Sequence, residues 1–437
     1  MAEKILQCGY MSGDTYTATA LLALDRSARI LLVKDTKATG EYRDKSGLIR
    51  SIFQESGVAD RVTVIDISSF RLTIKEVWDA VKDRYRAGAR TALPPTRPTG
   101  ELEGVLKQLC HDHEPTGNWP RSITAVTGLV ANEWRSNPER TQKLVATAWR
   151  VGKLPTEDKF ALYEYMAGKF AKTGFNIRDN ILVLWSRQSG KTGGAHLELD
   201  SSYSGIRQLA RHFAITEPRA TVLLSGDEHD DKLASLASES PQIINVAGMW
   251  NDGPWATHFA GAKFLAQFAF FKYLADDYRV VHLGMRSGML ESMALLGMET
   301  FYLEPLGSGS GDRMVAFQSR GITYRRIQIH AMPGLTARIV QNKPRLSNRE
   351  KVDDFLATGA SMQERRRKLR QRFDTDRPRE DYPWLAKAHA KAQLVGSPLE
   401  SRGNDWEGVQ DELDSLRGFN PADLDSIVRL VSGKFKT

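Results

Sequence analysis

Short apolar runs and amphipathic stretches alternate along the first third of the chain. KILQCG (4–9), ARILLVKD (28–35) and RVTVIDI (61–67) are compact apolar runs of strand length. Between them, DTYTATALLALDR (14–26) and SGLIRSIFQES (46–56) repeat their apolar residues at helical spacing, and LTIKEVWDAVKDRYRAG (72–88) does so up to Gly88. Alternation of this kind predicts parallel strands joined by crossover helices. TALPPTRPTG (91–100) breaks the pattern and reads as a loop. ELEGVLKQLCHD (101–112) then predicts a helix, SITAVTGLV (122–130) another strand, and SNPERTQKLVATAWRVG (136–152) a helix capped by Ser136 or Asn137 ahead of Pro138. A further helix is expected over 156–174, from the Thr156 cap to Gly174.

A second alternating block begins at Asn180. NILVLWSR (180–187) is the continuous apolar run expected of a strand covered on both faces. Strands at 220–228, 242–248, 278–284 and 298–305 follow, separated by helices at 201–215, 231–239, 261–277 and 287–297. Beyond Lys343 the chain is strongly charged and helical in pattern. The expectation is an α/β protein of two Rossmann-like domains facing a cleft, with a helical C-terminal tail. The divisions are 1–175, 176–343 and 344–437, and ligands in such sheets sit at the C-terminal ends of the strands.

The apolar stretch WATHFAGAKFLAQFAFFKYLA (255–275) includes His258, Lys263, Gln267 and Lys272. A bilayer tolerates these poorly, so it reads as a buried helix and no membrane span is expected. The N-terminus lacks the pattern of a signal peptide, and two cysteines in 437 residues form no disulfide framework. Both point to a cytoplasmic protein. Part of the formal charge of +8 sits in QERRRKLRQRF (363–373). That run reads first as a solvated helix face, and nucleic acid is set aside as a partner because no zinc-ligand spacing or aromatic platform accompanies it.

WSRQSGKTGG (185–194) has the ending of a phosphate-binding P-loop. Such a loop needs a glycine five positions before Gly190, where Trp185 stands, and a helix starting at the Gly-Lys-Thr. The next helix is expected near Ser201 or Ser202 instead. What remains is a basic, glycine-rich loop after a buried strand, in which Arg187 can grip an anion bidentately and Lys191 acts as a point charge or as an ordinary surface lysine.

Three segments of this second block resemble the nucleotide-sugar domain of GT-B glycosyltransferases. VLWSRQSGKTGG (183–194) resembles the basic strand-end motif of α-1,6-fucosyltransferases and O-fucosyltransferases, with Gln188 where that family often has a second arginine. ATVLLSGDEHDD (220–231) looks like the strand ending near the nucleoside, and VVHLGMRSGMLESMALLGMETFYLEP (280–305) has the strand, Gly-x-Arg-Ser-Gly turn and helix that recur in GT-B enzymes. The resemblance implies that Arg187, Lys191, Arg286, Ser287 and Gly288 hold the diphosphate of a nucleotide sugar, a GDP-sugar before others. It places Ser225, Asp227 and Glu291 near the nucleoside; read alone, Glu291 is a helix-surface glutamate, and Tyr302 and Glu304, which follow a strand end, are expected to help shape the nucleoside pocket. The start of the helix at Ser287-Gly288 would offer N–H groups and a positive dipole end. Glu291 and Glu299 are spaced like the paired glutamates of retaining enzymes but stand in the wrong register. No bound metal or cofactor is implied, and DEHDD (227–231) reads as a solvated turn.

In the first block, GYMSGDTYTATALLAL (9–24) leads from a strand end into a helix. By the same resemblance, Asp14 faces the cleft as the base of an inverting transfer to an acceptor that the sequence does not name; read alone, it is equally a helix N-cap. Two other readings stay open: a non-hydrolysing sugar-nucleotide epimerase on the same fold, and a non-catalytic module that binds nucleotide or nucleic acid. Of the histidines near strand ends, His196, His229 and His282, only His282 is expected to be buried.

Overall fold

The computed structural model describes residues 4–79, 120–151, 164, 180–187, 199–227, 232–249, 263–305, 313–330, 333, 418–419 and 421–436. They form two parallel α/β sheets, each with helices packed against it. The first sheet contains β1 (Lys4–Cys8), β2 (Arg29–Lys34), β3 (Val62–Asp66) and β4 (Arg121–Ser122), in the order β3-β2-β1-β4. The second contains β5 (Asn180–Ser186), β6 (Ala220–Gly226), β7 (Ile243–Asn245), β8 (Arg279–Met285), β9 (Glu299–Pro305) and β10 (Tyr324–Ile329). Its order is β10-β9-β8-β5-β6-β7. This is the doubly wound Rossmann order, with the switch point between β5 and β8. In the first sheet the corresponding reversal lies between β1 and β4. These are the two Rossmann-like domains expected from the alternating pattern.

Among the described residues, the helices of the first unit include α1 (Thr15–Leu24), α2 (Ser46–Glu55), α3 (Val126–Ser136) and α4 (Pro138–Ala148), and residues 74–79 are helical within the stretch expected over 72–88. The helix α4 starts as its sequence predicts: Asn137 Oδ1 accepts from Arg140 N at 3.1 Å, with Pro138 at the first helical position. The expected strand over 122–130 is a correction. Only Arg121 and Ser122 pair with β1, and a 3-10 turn then passes into α3. Val126, Val130, Ala131 and Trp134 recur at helical spacing, so continuing a helix buries one face that a strand would split across two.

The second unit contains α5 (Tyr203–Thr216), α6 (Lys232–Ser238), α7 (Lys263–Asp277), α8 (Gly288–Leu295) and α9 (Val315–Ser319). The helix α5 starts after Ser202, whose Oγ accepts from Gly205 N at 2.9 Å. The strand β10 escapes the sequence pattern because YRRIQI places two arginines in one short strand.

A last helix, α10 (Pro421–Ser432), packs on α5 and supplies Leu424, Ile427 and Val431 to the second core. Gln208 fixes its approach: its amide donates to Phe419 O at 3.0 Å and accepts from Phe419 N at 2.7 Å. The basic run at 363–373 and the helix expected over 101–112 lie outside the described residues, as does the helix expected over 156–174 except for Glu164, which is helical.

The helix α1 is covered on nearly every side, as its apolar composition requires. It packs against α2, α3 and α4 of its own unit and against α8 of the second. The aromatic core is continuous across the seam: Phe268 on α7 lies 5.4 Å from Tyr16 and 5.0 Å from Trp149, between ring centroids. The apolar stretch carrying α7 is thus a buried helix in its described part. Among the described residues, no helix is long and apolar enough to cross a membrane.

Candidate functional site

The loop that leaves β1 is pinned from inside. Gln7 is fully buried, and its amide donates to Met11 O at 3.0 Å and to Thr15 Oγ1 at 2.8 Å, spanning the turn and fixing the start of α1. The turn brings Gly13 against Gly288, the first residue of α8. A Cβ on Gly288 would overlap the Gly13 carbonyl oxygen, so two backbones meet where a side chain cannot fit.

Around that contact, polar groups join the two units. Asp14 pairs with Arg313, and Thr17 Oγ1 donates to Glu291 Oε2 at 3.0 Å. Asp14 occupies the N-cap position of α1 but makes no side-chain cap bond, so its carboxylate is committed to the seam. Glu291 is 2% exposed, no surface glutamate. Burial pushes its carboxyl up to about 7; Asp14 adds to the rise, while Arg313, Arg286 and the Thr17 hydroxyl oppose it.

Ser287 caps α8, its Oγ accepting from Leu290 N at 3.3 Å. At Gly288 the first residue of this helix lies against Gly13 of the other unit. The geometry gives Ser287 a capping role and Gly288 a packing role.

At the switch point of the second sheet, Arg187 follows β5 and Arg286 follows β8. The Arg187 guanidinium donates to the Arg286 carbonyl oxygen and lies 3.8 Å from Asp200 Oδ1. Its main chain is held on both sides by Ser201, whose Oγ accepts from Arg187 N at 2.9 Å and whose N–H donates to Arg187 O at 3.0 Å. Arg286 turns inward. Its Nε lies 3.0 Å from Glu304 Oε1, and Arg326 Nε lies 3.0 Å from Glu304 Oε2, so one wholly buried carboxylate holds two guanidiniums. Tyr302 stacks on Tyr324 with 4.3 Å between ring centroids. Both Tyr302 and Glu304 are therefore interior supports and not the walls of a nucleoside pocket.

Ser225 lies beside Trp185 in the strand register and is fully buried; its Oγ has no hydrogen-bond partner among the described residues. Asp227 is exposed just past β6, its N–H donating to Ser186 O at 2.9 Å. Gly226 (φ +93°) lets the chain turn there against the Ser186 backbone. Lys191, Gln188, His196 and His229 lie outside the described residues. His282 is buried, accepting at Nδ1 from Trp185 Nε1 at 3.0 Å. Burial lowers it to about 3, which suits a neutral core imidazole. Among the described residues, no three His, Cys, Asp or Glu side chains converge as metal ligands.

Sequence reasoning missed Arg313, Thr17 and Gln7. Gln7 stands out only as a polar residue inside an apolar strand, and the other two carry no local signal.

No known family model and no curated protein sequence matches this chain. Among solved structures it is similar to the ADP-heptose LPS heptosyltransferase II of E. coli, at 11% identity and a TM-score of 0.33, over 78% of this chain and 100% of the other. It is also similar to the UDP-GlcNAc 2-epimerase of Neisseria meningitidis bound to UDP-GlcNAc, at 10% identity and a TM-score of 0.30, over 90% of this chain and 100% of that one. Likeness this loose carries nothing about substrate or residue roles.

Proposed function

We propose that this protein is a glycosyltransferase of the GT-B type, which moves a sugar from a nucleotide diphosphate donor to an acceptor with inversion. The observation that carries this reading is Arg187, held by the Arg286 carbonyl oxygen at the switch point, where doubly wound sheets bind ligands; in the seam between the units Arg313 pairs with the first-domain carboxylate Asp14. Arg187 and Lys191 grip the donor diphosphate, Asp227 lies on the nucleoside side, and the likeness of 183–194 to fucosyltransferase motifs favours a GDP-sugar.

In the transfer, the acceptor oxygen bonds to the anomeric carbon as the bond from that carbon to the diphosphate oxygen breaks. Asp14 takes the acceptor's proton, and the cationic loop stabilises the charge that develops on the leaving diphosphate. Arg313 orients Asp14. A thermal-shift screen against GDP-, UDP-, dTDP- and ADP-sugars tests the reading. Stabilisation by at least one donor, lost in Arg187→Ala, supports it; no stabilisation by any of them overturns it.

Glu291 favours a second reading on the same fold, sugar-nucleotide epimerisation. Inverting a carbon that bears hydrogen requires one group to remove a proton and another to return it, and Asp14 and Glu291 are two carboxyl groups within reach of one arginine. Deuterium from D2O entering the sugar ring without an acceptor would select this reading over transfer.

A further inference from the structure

The C-terminal edges of the two sheets converge where Gly13 meets Gly288. On the first-domain side of that convergence, Lys45 precedes α2. Its N–H donates to Gly9 O at 2.8 Å, and Gly9 N donates to Val33 O at 2.7 Å, so the base of the Lys45 side chain is tied to the ends of β1 and β2. Asp44 fills the space beside Gly9, leaving no room there for a Cβ. On the other side, Arg187 is anchored to the end of β5 by its two main-chain bonds to Ser201. Two cations on separate domains are thus built onto rigid strand ends.

The turn over residues 12–14 contacts both α2, which Lys45 precedes, and α8, and the Arg187 guanidinium donates to the carbonyl oxygen of Arg286, two residues ahead of Gly288, so both cations stand close to the Gly13–Gly288 contact. The surrounding protein first, then the guanidiniums of Arg187 and Arg43, hold the Lys45 ammonium below the ordinary lysine range, with Asp227 acting in the opposite sense. Gathering Lys45, Arg43 and Arg187 around one seam costs repulsion, which Asp227 eases at Lys45 and Asp200 at Arg187. A multivalent anion seated between them converts that repulsion into attraction. The chemistry is divided suitably: a planar guanidinium takes two oxygens of one phosphoryl group, and an ammonium takes any oxygen of the next.

We propose that Lys45 is the first domain's grip on the diphosphate that Arg187 holds from the second, so that the bound anion bridges the two domains. This inference rests on the nucleotide-sugar reading above. It adds a residue outside the motifs that suggested that reading, and it makes binding of the diphosphate a joint property of both sheets.

Calorimetric titration of the full chain with GDP, UDP, dTDP, ADP and inorganic pyrophosphate tests it, alongside Lys45→Ala, Lys45→Arg, Arg187→Ala and the surface control Lys143→Ala. Circular dichroism first establishes that each variant is folded. The expected result is a Kd raised about tenfold or more in Lys45→Ala, the loss of one charge-assisted hydrogen bond. Lys45→Arg retains most of the affinity, Lys143→Ala is unchanged, and pyrophosphate shows the same loss as the nucleotides. Wild-type affinity in both Lys45 variants, with binding abolished in Arg187→Ala, overturns this inference and leaves the nucleotide-sugar reading standing. If none of these diphosphates binds the unaltered chain, both fall.

Discussion

Thr17 donates its hydroxyl to Glu291 across 274 positions of sequence, from the first turn of one domain's buried helix to the first turn of the other's. The bond holds a carboxyl group away from water and next to Asp14 and Arg313. Replacing Thr17 by valine keeps the shape and removes the donor. It is expected to cost about 1–3 kcal/mol, because the buried carboxyl loses a partner. Urea denaturation of the variant against the wild type measures this.

Glu291 makes stability depend on pH in a defined direction. Its carboxyl titrates at about 7 in the folded chain against 4.5 for an ordinary glutamate, so between those values the folded state binds more protons. Stability from this group is complete below pH 4.5 and is lost as pH rises through 7. Glu291→Gln removes the dependence. Relative to wild type, the variant should gain stability between pH 5 and pH 8, on the order of 2–3 kcal/mol. Denaturation at the two pH values reads the difference, and an unchanged gap would show that Glu291 does not hold a proton there.

His282 acts in the opposite sense. Its imidazole, lowered to about 3, stays neutral in the fold where the unfolded chain takes up a proton. Its contribution is full above about pH 6.5 and falls as pH drops toward 3, by roughly 1.4 kcal/mol for each unit in that window. NMR of the ring should show no titration between pH 5 and pH 8, and His282→Phe should reduce the acid lability.

Gly288→Ala tests the backbone contact. The added methyl meets the Gly13 carbonyl, so the loop and α8 must separate. The expected cost is about 1–3 kcal/mol, the usual penalty for overpacking. The same substitution at Gly13, where nothing lies near the added Cβ, should be far milder. Thermal melts of the two variants compare them directly.

Much of this architecture was legible because buried parallel strands write themselves as apolar runs and their crossover helices as amphipathic ones. The switch-point arginine Arg187 was legible for the same reason: it ends such a run. The segment at 122–130 misled because β-branched residues dominate it, while its burial spacing is helical. The seam was hidden for a different reason. Asp14 could be seen as a candidate, but its partner Arg313 lies 299 positions away and has no motif around it. Contacts of that kind are made by the docking of two domains, and no periodicity in one segment encodes them.

The helix α10 has a consequence for how the protein is made. Phe419, Leu424, Ile427 and Val431 fill the same core as Leu182 and Leu184 of β5 and Phe301 and Leu303 of β9. During synthesis, all six strands of the second sheet leave the ribosome well before these residues exist. The second core lacks these residues until α10 arrives, and the first core, which shares Phe268, Leu290 and Met293 with the second unit, is likewise incomplete until that later block is made. That interval is when a chaperone would have most to hold.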